Sequence, residues 1–156
     1  MKIEKNETID KERLTRFFSK HWGSNEMVIS SGTFVCDELP GFTILIEDEL
    51  VGCITFVEGK EFEVISLDSD QEGLGIGSLL LKETEAHAKA RGYSDVQLIT
   101  TNDNLSAVRF YQKREYRVVG VMLNAVQNAR KKKPDIPFYS NEGIEIRDEW
   151  ILRKEL

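Results

Sequence analysis

An α+β fold is predicted by the order in which two hydrophobic periodicities appear along the chain. Between residues 27 and 67, short β-like runs follow one another, separated by turn signals at Glu47-Asp48-Glu49 and Glu58-Gly59-Lys60. From Gly75 onward, helical patterns alternate with strands. Strands first and βα units afterwards give a mixed, mostly antiparallel central sheet flanked by helices.

The elements follow in order. An amphipathic helix is predicted over 10–21, then strands over 27–35, 42–47, 50–57 and 61–67. A helix over 75–91 ends at Gly92, a residue suited to the left-handed position after a helix. A strand over 95–100 leads to a short helix with Asn104 as its N-cap. A strand over 116–122, a helix over 124–132 stopped by Pro134, and a strand over 145–153 complete the chain.

Composition sets the bounds. The 156 residues, 40% of them hydrophobic, suit a single domain, 1–156, with a real core and no internal repeat. No apolar run approaches the roughly 20 residues that cross a bilayer, and the N-terminus is charged, so a soluble cytoplasmic protein is expected. Cys36 and Cys53 lie in strand-like segments without metal-ligand spacing and read as small core residues. A net charge of −6 argues against general nucleic-acid affinity and is compatible with a cationic or amine-bearing partner. The basic run Arg130-Lys131-Lys132-Lys133 is read as a solvated helix end, where cations complement the dipole, with a partner-binding or nucleic-acid patch as the alternative.

The segment richest in chemical information is Gln71-Glu72-Gly73-Leu74-Gly75-Ile76-Gly77-Ser78, where three alternating glycines join a strand to a helix. Glycine reaches φ > 0 without a Cβ penalty and lets backbone N–H groups approach a ligand closely. The helix that follows offers unpaired N–H groups and a positive dipole end, so the pair favours a phosphate or pyrophosphate. A Walker loop is excluded, because Gly77 is followed by Ser78-Leu79 rather than by Lys and Ser or Thr. A dinucleotide fingerprint fits poorly, because Ser occupies position 78 and several strands precede the turn.

A second segment, Asn104-Leu105-Ser106-Ala107-Val108-Arg109-Phe110-Tyr111 through Tyr116, follows the apolar strand at 95–100. With both in hand, the chain resembles the GNAT superfamily of N-acetyltransferases, and is closest to a bacterial subgroup whose acceptor is generally unassigned. That family carries Gln/Arg-x-x-Gly-x-Gly/Ala at the acetyl-CoA loop, matched here by Glu72 to Gly77, and Asn-x-x-Ala-x-x-Phe-Tyr-x-x-x-Gly-Phe, matched by Asn104 to Tyr116. Two positions depart: Glu72 replaces Gln or Arg, and Glu115 replaces the glycine before the aromatic, which suggests an altered turn.

The resemblance implies a splay between the fourth and fifth strands of the central sheet, into which the pantetheine arm of acetyl-CoA enters beside Ser66, Leu67 and Asp68. It implies that Gly73, Leu74, Gly75, Ile76, Gly77 and Ser78 hold the pyrophosphate, with Glu72, Asn104 and Tyr111 also at the cofactor; Glu72 weakens the electrostatic case for a pyrophosphate. A backbone N–H near Leu67 would polarise the thioester carbonyl. Tyr111 stands where the family places its general acid, and a phenol with a reference pKa of about 10 is protonated at neutral pH. The acceptor amine needs a proton acceptor, for which Glu63 is the first candidate and Asp148 or Glu149 are others. Simple alternation puts Glu63, Ile65 and Leu67 on one strand face. His87 is expected to be packed and hydrogen-bonded; His21 closes the first helix beside Trp22, a residue able to wall an acceptor site.

The function so implied is transfer of an acetyl group from acetyl-CoA to a primary amine by direct attack in a ternary complex, with a homodimer compatible with it. The rival reading is a noncatalytic acyl-CoA-binding or protein-interaction module, encouraged by Glu72 and Glu115.

Overall fold

The computed structural model describes all residues, 1–156, and they cluster into two compact units. The first comprises Met1–Met27, Phe34–Val96 and Leu156; the second comprises Val28–Thr33 and Gln97–Glu155. The element types form a mixed α+β chain whose strand pairs are mostly antiparallel, as the order of periodicities requires.

In the first unit the strands run in the order β1 (Lys2–Lys5), β4 (Gly41–Ile46), β5 (Glu49–Glu58) and β6 (Phe62–Ser69), each antiparallel to its neighbour. The β1 strand is absent from the expectation above, because Lys-Ile-Glu-Lys carries a single apolar residue; its pairing with β4 decides it. Helix α1 (Lys11–Trp22) starts on Asp10, whose carboxylate accepts from the Glu12 N–H, and ends on Gly23 at φ 77°. Its Leu14, Phe17 and Phe18 are buried, the i, i+3, i+4 stripe that makes a short helix stable only against a core.

Residues 27–35 form not one strand but a hairpin, β2 (Glu26–Ile29) and β3 (Gly32–Val35), because Ser30-Ser31 makes the turn and Gly32 resumes extended backbone. Helix α2 (Ile76–Ala90) packs on β4, β5 and β6. Gly52 permits the close approach, since a Cβ there would meet Ile76 Cγ2. Phe42, Ile44, Ile54, Phe56, Phe62, Val64, Ile76, Leu80 and Leu81 are nearly or wholly buried and make the core of this unit.

The second unit holds most of β7 (Asp95–Thr101), with β9 (Glu149–Glu155) beside it and β8 (Arg117–Met122) antiparallel to β9. Helix α3 (Leu105–Gln112) and helix α4 (Ala125–Lys132) complete it. The last strand begins at Glu149, not at 145, because 144–148 are spent on a loop whose backbone and side chains pair with Asn102, Asn124 and Val126. Arg130 is buried rather than solvated. Its guanidinium donates to the carbonyls of Ile136, Pro137 and Ile146 and lies 4.3 Å from the Phe138 ring centroid, clamping that same loop.

Candidate functional site

The glycine segment folds into a left-handed turn followed directly by a helix. Gly73 and Gly75 have φ of 80° and 73°, and a Cβ added at either would meet no atom, so backbone conformation and not crowding selects glycine there. Gly75 is the N-cap of α2 without a side-chain cap, and the first turn carries no acid. An anion at this helix start is favoured by the dipole. Glu72 and Leu74 are exposed on the turn, Ile76 is buried beneath it, and Gly77 and Ser78 lie within the helix.

Strand β6 brings Ser66, Leu67 and Asp68 to the end that leads into this turn. Its pairing with β5 shifts register between Thr55 and Phe56, opposite Ser66 and Val64, so Ile65 is an extra residue in a bulge. The bulge breaks the alternation expected for the strand: Glu63 shares a face with Ser66 and Asp68, and Leu67 lies on the other. Ser66 is buried with its hydroxyl 2.6 Å from Thr55 Oγ1, and Glu63 is 4% exposed.

Asp68 is the centre of a polar cluster that sequence reasoning missed. The Trp22 indole N–H donates to Asp68 Oδ2 at 2.7 Å, and His21 Nδ1 lies 4.0 Å from Asp68 Oδ1. His21 Nε2 is 2.7 Å from Asp70 Oδ1, which Lys20 Nζ also reaches at 3.1 Å. Burial holds the Asp68 carboxyl above the ordinary carboxylate range and Asp70 adds to the rise, while the Trp22 hydrogen bond and the His21 charge oppose it. The only sequence signal was the pairing of His21-Trp22 at a helix end with Asp68 and Asp70 at a strand end, and nothing local in the sequence says that these ends meet.

His87 is packed and hydrogen-bonded, with Nε2 3.0 Å from Glu58 Oε1 and its ring among Phe42, Phe56 and Phe62. In the second unit, Asn104 caps α3 by position, but its side chain bonds no helical N–H. Tyr111 is buried, in edge-on contact with Phe110 and Tyr116. After α3, Glu115 sits at φ 73°, in the conformation that glycine adopts at this turn without strain. Asp148 and Glu149 are both buried; Asp148 Oδ1 accepts from the Asn124 N–H, and Glu149 Oε1 accepts from the Ser30 N–H.

Comparison with known proteins matches residues 10–116 to the model of the acetyltransferase (GNAT) family. The chain is 51% identical over 156 residues to the uncharacterized protein YdhI of Bacillus subtilis (strain 168), covering 99% of this chain and 98% of that one. Among solved structures, it resembles a GNAT family acetyltransferase from Elizabethkingia anophelis with acetyl-CoA bound, at 25% identity and TM-score 0.65, with 76% of each chain covered. A Bacillus subtilis acetyltransferase in complex with CoA shares the fold at TM-score 0.71 and 18% identity, with 99% and 98% covered.

Proposed function

Because the chain belongs to the GNAT family of acetyltransferases, we propose that it moves an acetyl group from acetyl-CoA to a primary amine by direct attack within a ternary complex. The single observation that carries the donor is the pair of left-handed glycines, Gly73 and Gly75, leading into the uncapped N-terminus of α2. In this reading residues 73–78 hold the pyrophosphate, and Ser66, Leu67 and Asp68 hold the pantetheine arm, with Glu72 and Asn104 also at the cofactor. The two units work as one acetyltransferase domain.

The acceptor amine, once deprotonated, attacks the thioester carbonyl, whose developing negative charge a backbone N–H near Leu67 stabilises. The C–S bond then breaks and the thiolate leaves. An ammonium that becomes an amide gives up two protons. Glu63 takes the first, and the second balances the one that Tyr111 donates to the thiolate. Holding both reactants in one site supplies much of the rate. The reading also places the protein in the cytoplasm and allows a homodimer; no helix is long and apolar enough to cross a membrane.

One observation favours the rival, a noncatalytic acyl-CoA-binding module: Glu72 puts a carboxylate at the turn that receives a diphosphate. Release of free thiol from acetyl-CoA in the presence of amines decides between them. Amine-dependent release supports transfer, and tight binding with no release for any amine supports the module.

A further inference from the structure

The turn assigned to the cofactor's phosphates is short of positive charge. From Leu67 through Leu81 the chain carries three carboxylates, Asp68, Asp70 and Glu72, and no Lys, Arg or His. Asp70 lies three residues before Gly73, so its backbone is within about 11 Å of that glycine. The strand end is held in place: the Asp70 N–H donates to the Val51 carbonyl at 2.8 Å, and Ser69 Oγ accepts from the Gln71 N–H at 3.2 Å. Across such a distance a carboxylate repels a diphosphate unless a counter-charge or water screens it.

The counter-charges come from the end of α1, within the same unit. Gly23 at φ 77° stops that helix, which makes Lys20, His21 and Trp22 its last turn. All three meet the end of β6. Lys20 Nζ and His21 Nε2 share Asp70 Oδ1 at 3.1 and 2.7 Å, while the Trp22 indole and His21 Nδ1 face Asp68. The His21 ring is fixed in turn, its centroid 4.4 Å from that of the buried Phe17.

Which carboxylates are met is informative. Glu72 is exposed, so water screens it, whereas the side chains of Asp68 and Asp70 are only 14% and 21% exposed and are screened less. Those two are the ones that α1 reaches. Lys20 itself is 66% exposed, and an ion pair so placed adds little to stability. Its effect on the field at the glycine turn is a separate matter, because charges act on an approaching anion over many ångströms.

We propose that Lys20, seated beside His21, is a positioning residue of the donor site: it neutralises Asp70 and so lets a turn with three carboxylates receive the diphosphate of acetyl-CoA. The inference rests on the acetyl-CoA reading above and adds to it a residue far from the turn in sequence. Lys20 acts through Asp70 and does not grip the phosphate.

Calorimetric titration of the full chain with CoA tests this, in about 0.01 M and about 1 M salt, where the Debye length falls from about 30 to about 3 Å. Lys20→Glu sets two further units of negative charge against the diphosphate and should weaken binding about 10-fold relative to wild type in low salt, and less than about 2-fold in high salt. Lys20→Arg should bind as wild type. Lys20→Gln should weaken binding about 3-fold in low salt, and Lys20→Gln/Asp70→Asn should restore it, since the second change removes the carboxylate and keeps an acceptor for His21. Unchanged affinity in Lys20→Glu overturns the inference and leaves the cofactor turn standing. A loss that persists in high salt marks a structural role for Lys20 and overturns it. Failure of Lys20→Gln/Asp70→Asn to recover assigns Lys20 to the phosphate itself and also overturns it. Absence of CoA binding in the wild type removes the cofactor turn, and the inference with it.

Discussion

The Trp22 indole N–H donates to Asp68 Oδ2 at 2.7 Å, tying the last residue of α1 to the end of β6 just before the glycine turn. The bond satisfies half of a carboxylate whose side chain is only 14% exposed. Removing its donor leaves that oxygen to water at the exposed side of the half-exposed indole, so Trp22→Phe should cost about 1 kcal/mol in denaturant unfolding. A change below a few tenths would show that water replaces the indole without cost.

The raised Asp68 pKa also fixes the sign of a pH effect. Folded protein holds this proton more tightly than the unfolded chain, so the stability linked to it is present in acid. It is lost as pH rises from the ordinary carboxylate value of about 4 through the raised one. Asp68→Asn can still accept from Trp22 and cannot ionise. Its melting temperature relative to wild type should therefore climb across that window, and a decline would reverse the assignment of burial as the dominant cause.

Glu115 at φ 73° carries a conformational cost that glycine avoids. Its side chain is 85% exposed and reaches Lys154 only at 4.0 Å, so little is lost on its removal. Glu115→Gly should stabilise the protein by about 0.5–1 kcal/mol, less what glycine adds to unfolded-chain entropy. Thermal unfolding of the single variant measures it, and a loss of stability would show that the turn is supported through the side chain.

Burial pushes the Cys53 thiol up to about 12, against hydrogen bonds from Thr43 and Asn6 that pull it down. Thiolate is the reactive form, so Cys53 should resist a disulfide reagent in native buffer and react once the chain unfolds. Stoichiometric labelling of Cys53 in the folded state would contradict the packing of that strand.

The sequence made most elements legible because their periodicities are local properties: the α1 stripe, the strand runs and the glycine-led helix end within a residue or two of their expected limits. Three features were not local. The Ser30-Ser31 turn split one apolar run into two strands, a change that patterning over 27–35 does not distinguish from a continuous strand. The bulge at Ile65 arises from pairing with β5 and moved Glu63 onto the face of Ser66 and Asp68. The cluster of His21, Trp22, Asp68 and Asp70 joins positions nearly fifty residues apart, and residue types alone cannot announce that meeting. Of the proposed site, the glycine turn was readable from spacing, whereas the altered turn expected at Glu115 is not found: Glu115 takes φ 73°, the left-handed conformation that glycine would adopt, so the substitution adds strain and keeps the turn. The burial of Arg130 was not readable, since a run of four cations reads as a solvated helix end.

The role given to Tyr111 makes a separable kinetic prediction. Tyr111→Phe keeps the ring that packs edge-on against Phe110 and Tyr116 and deletes only the proton donor. Turnover should fall by about 10²-fold with acetyl-CoA affinity nearly unchanged. Unchanged turnover with an authentic acceptor would remove Tyr111 from the mechanism.

Calorimetric titration of the protein with acetyl-CoA and with CoA, alongside Gly75→Val, tests whether the glycine turn holds the cofactor's phosphates. Micromolar affinity for both ligands is expected in the wild type, with a marked loss in the variant, where a β-branched residue must occupy φ 73° at the mouth of α2. No binding of either ligand up to millimolar concentration, or wild-type affinity in Gly75→Val, would contradict the assignment of this glycine turn as the cofactor's phosphate site.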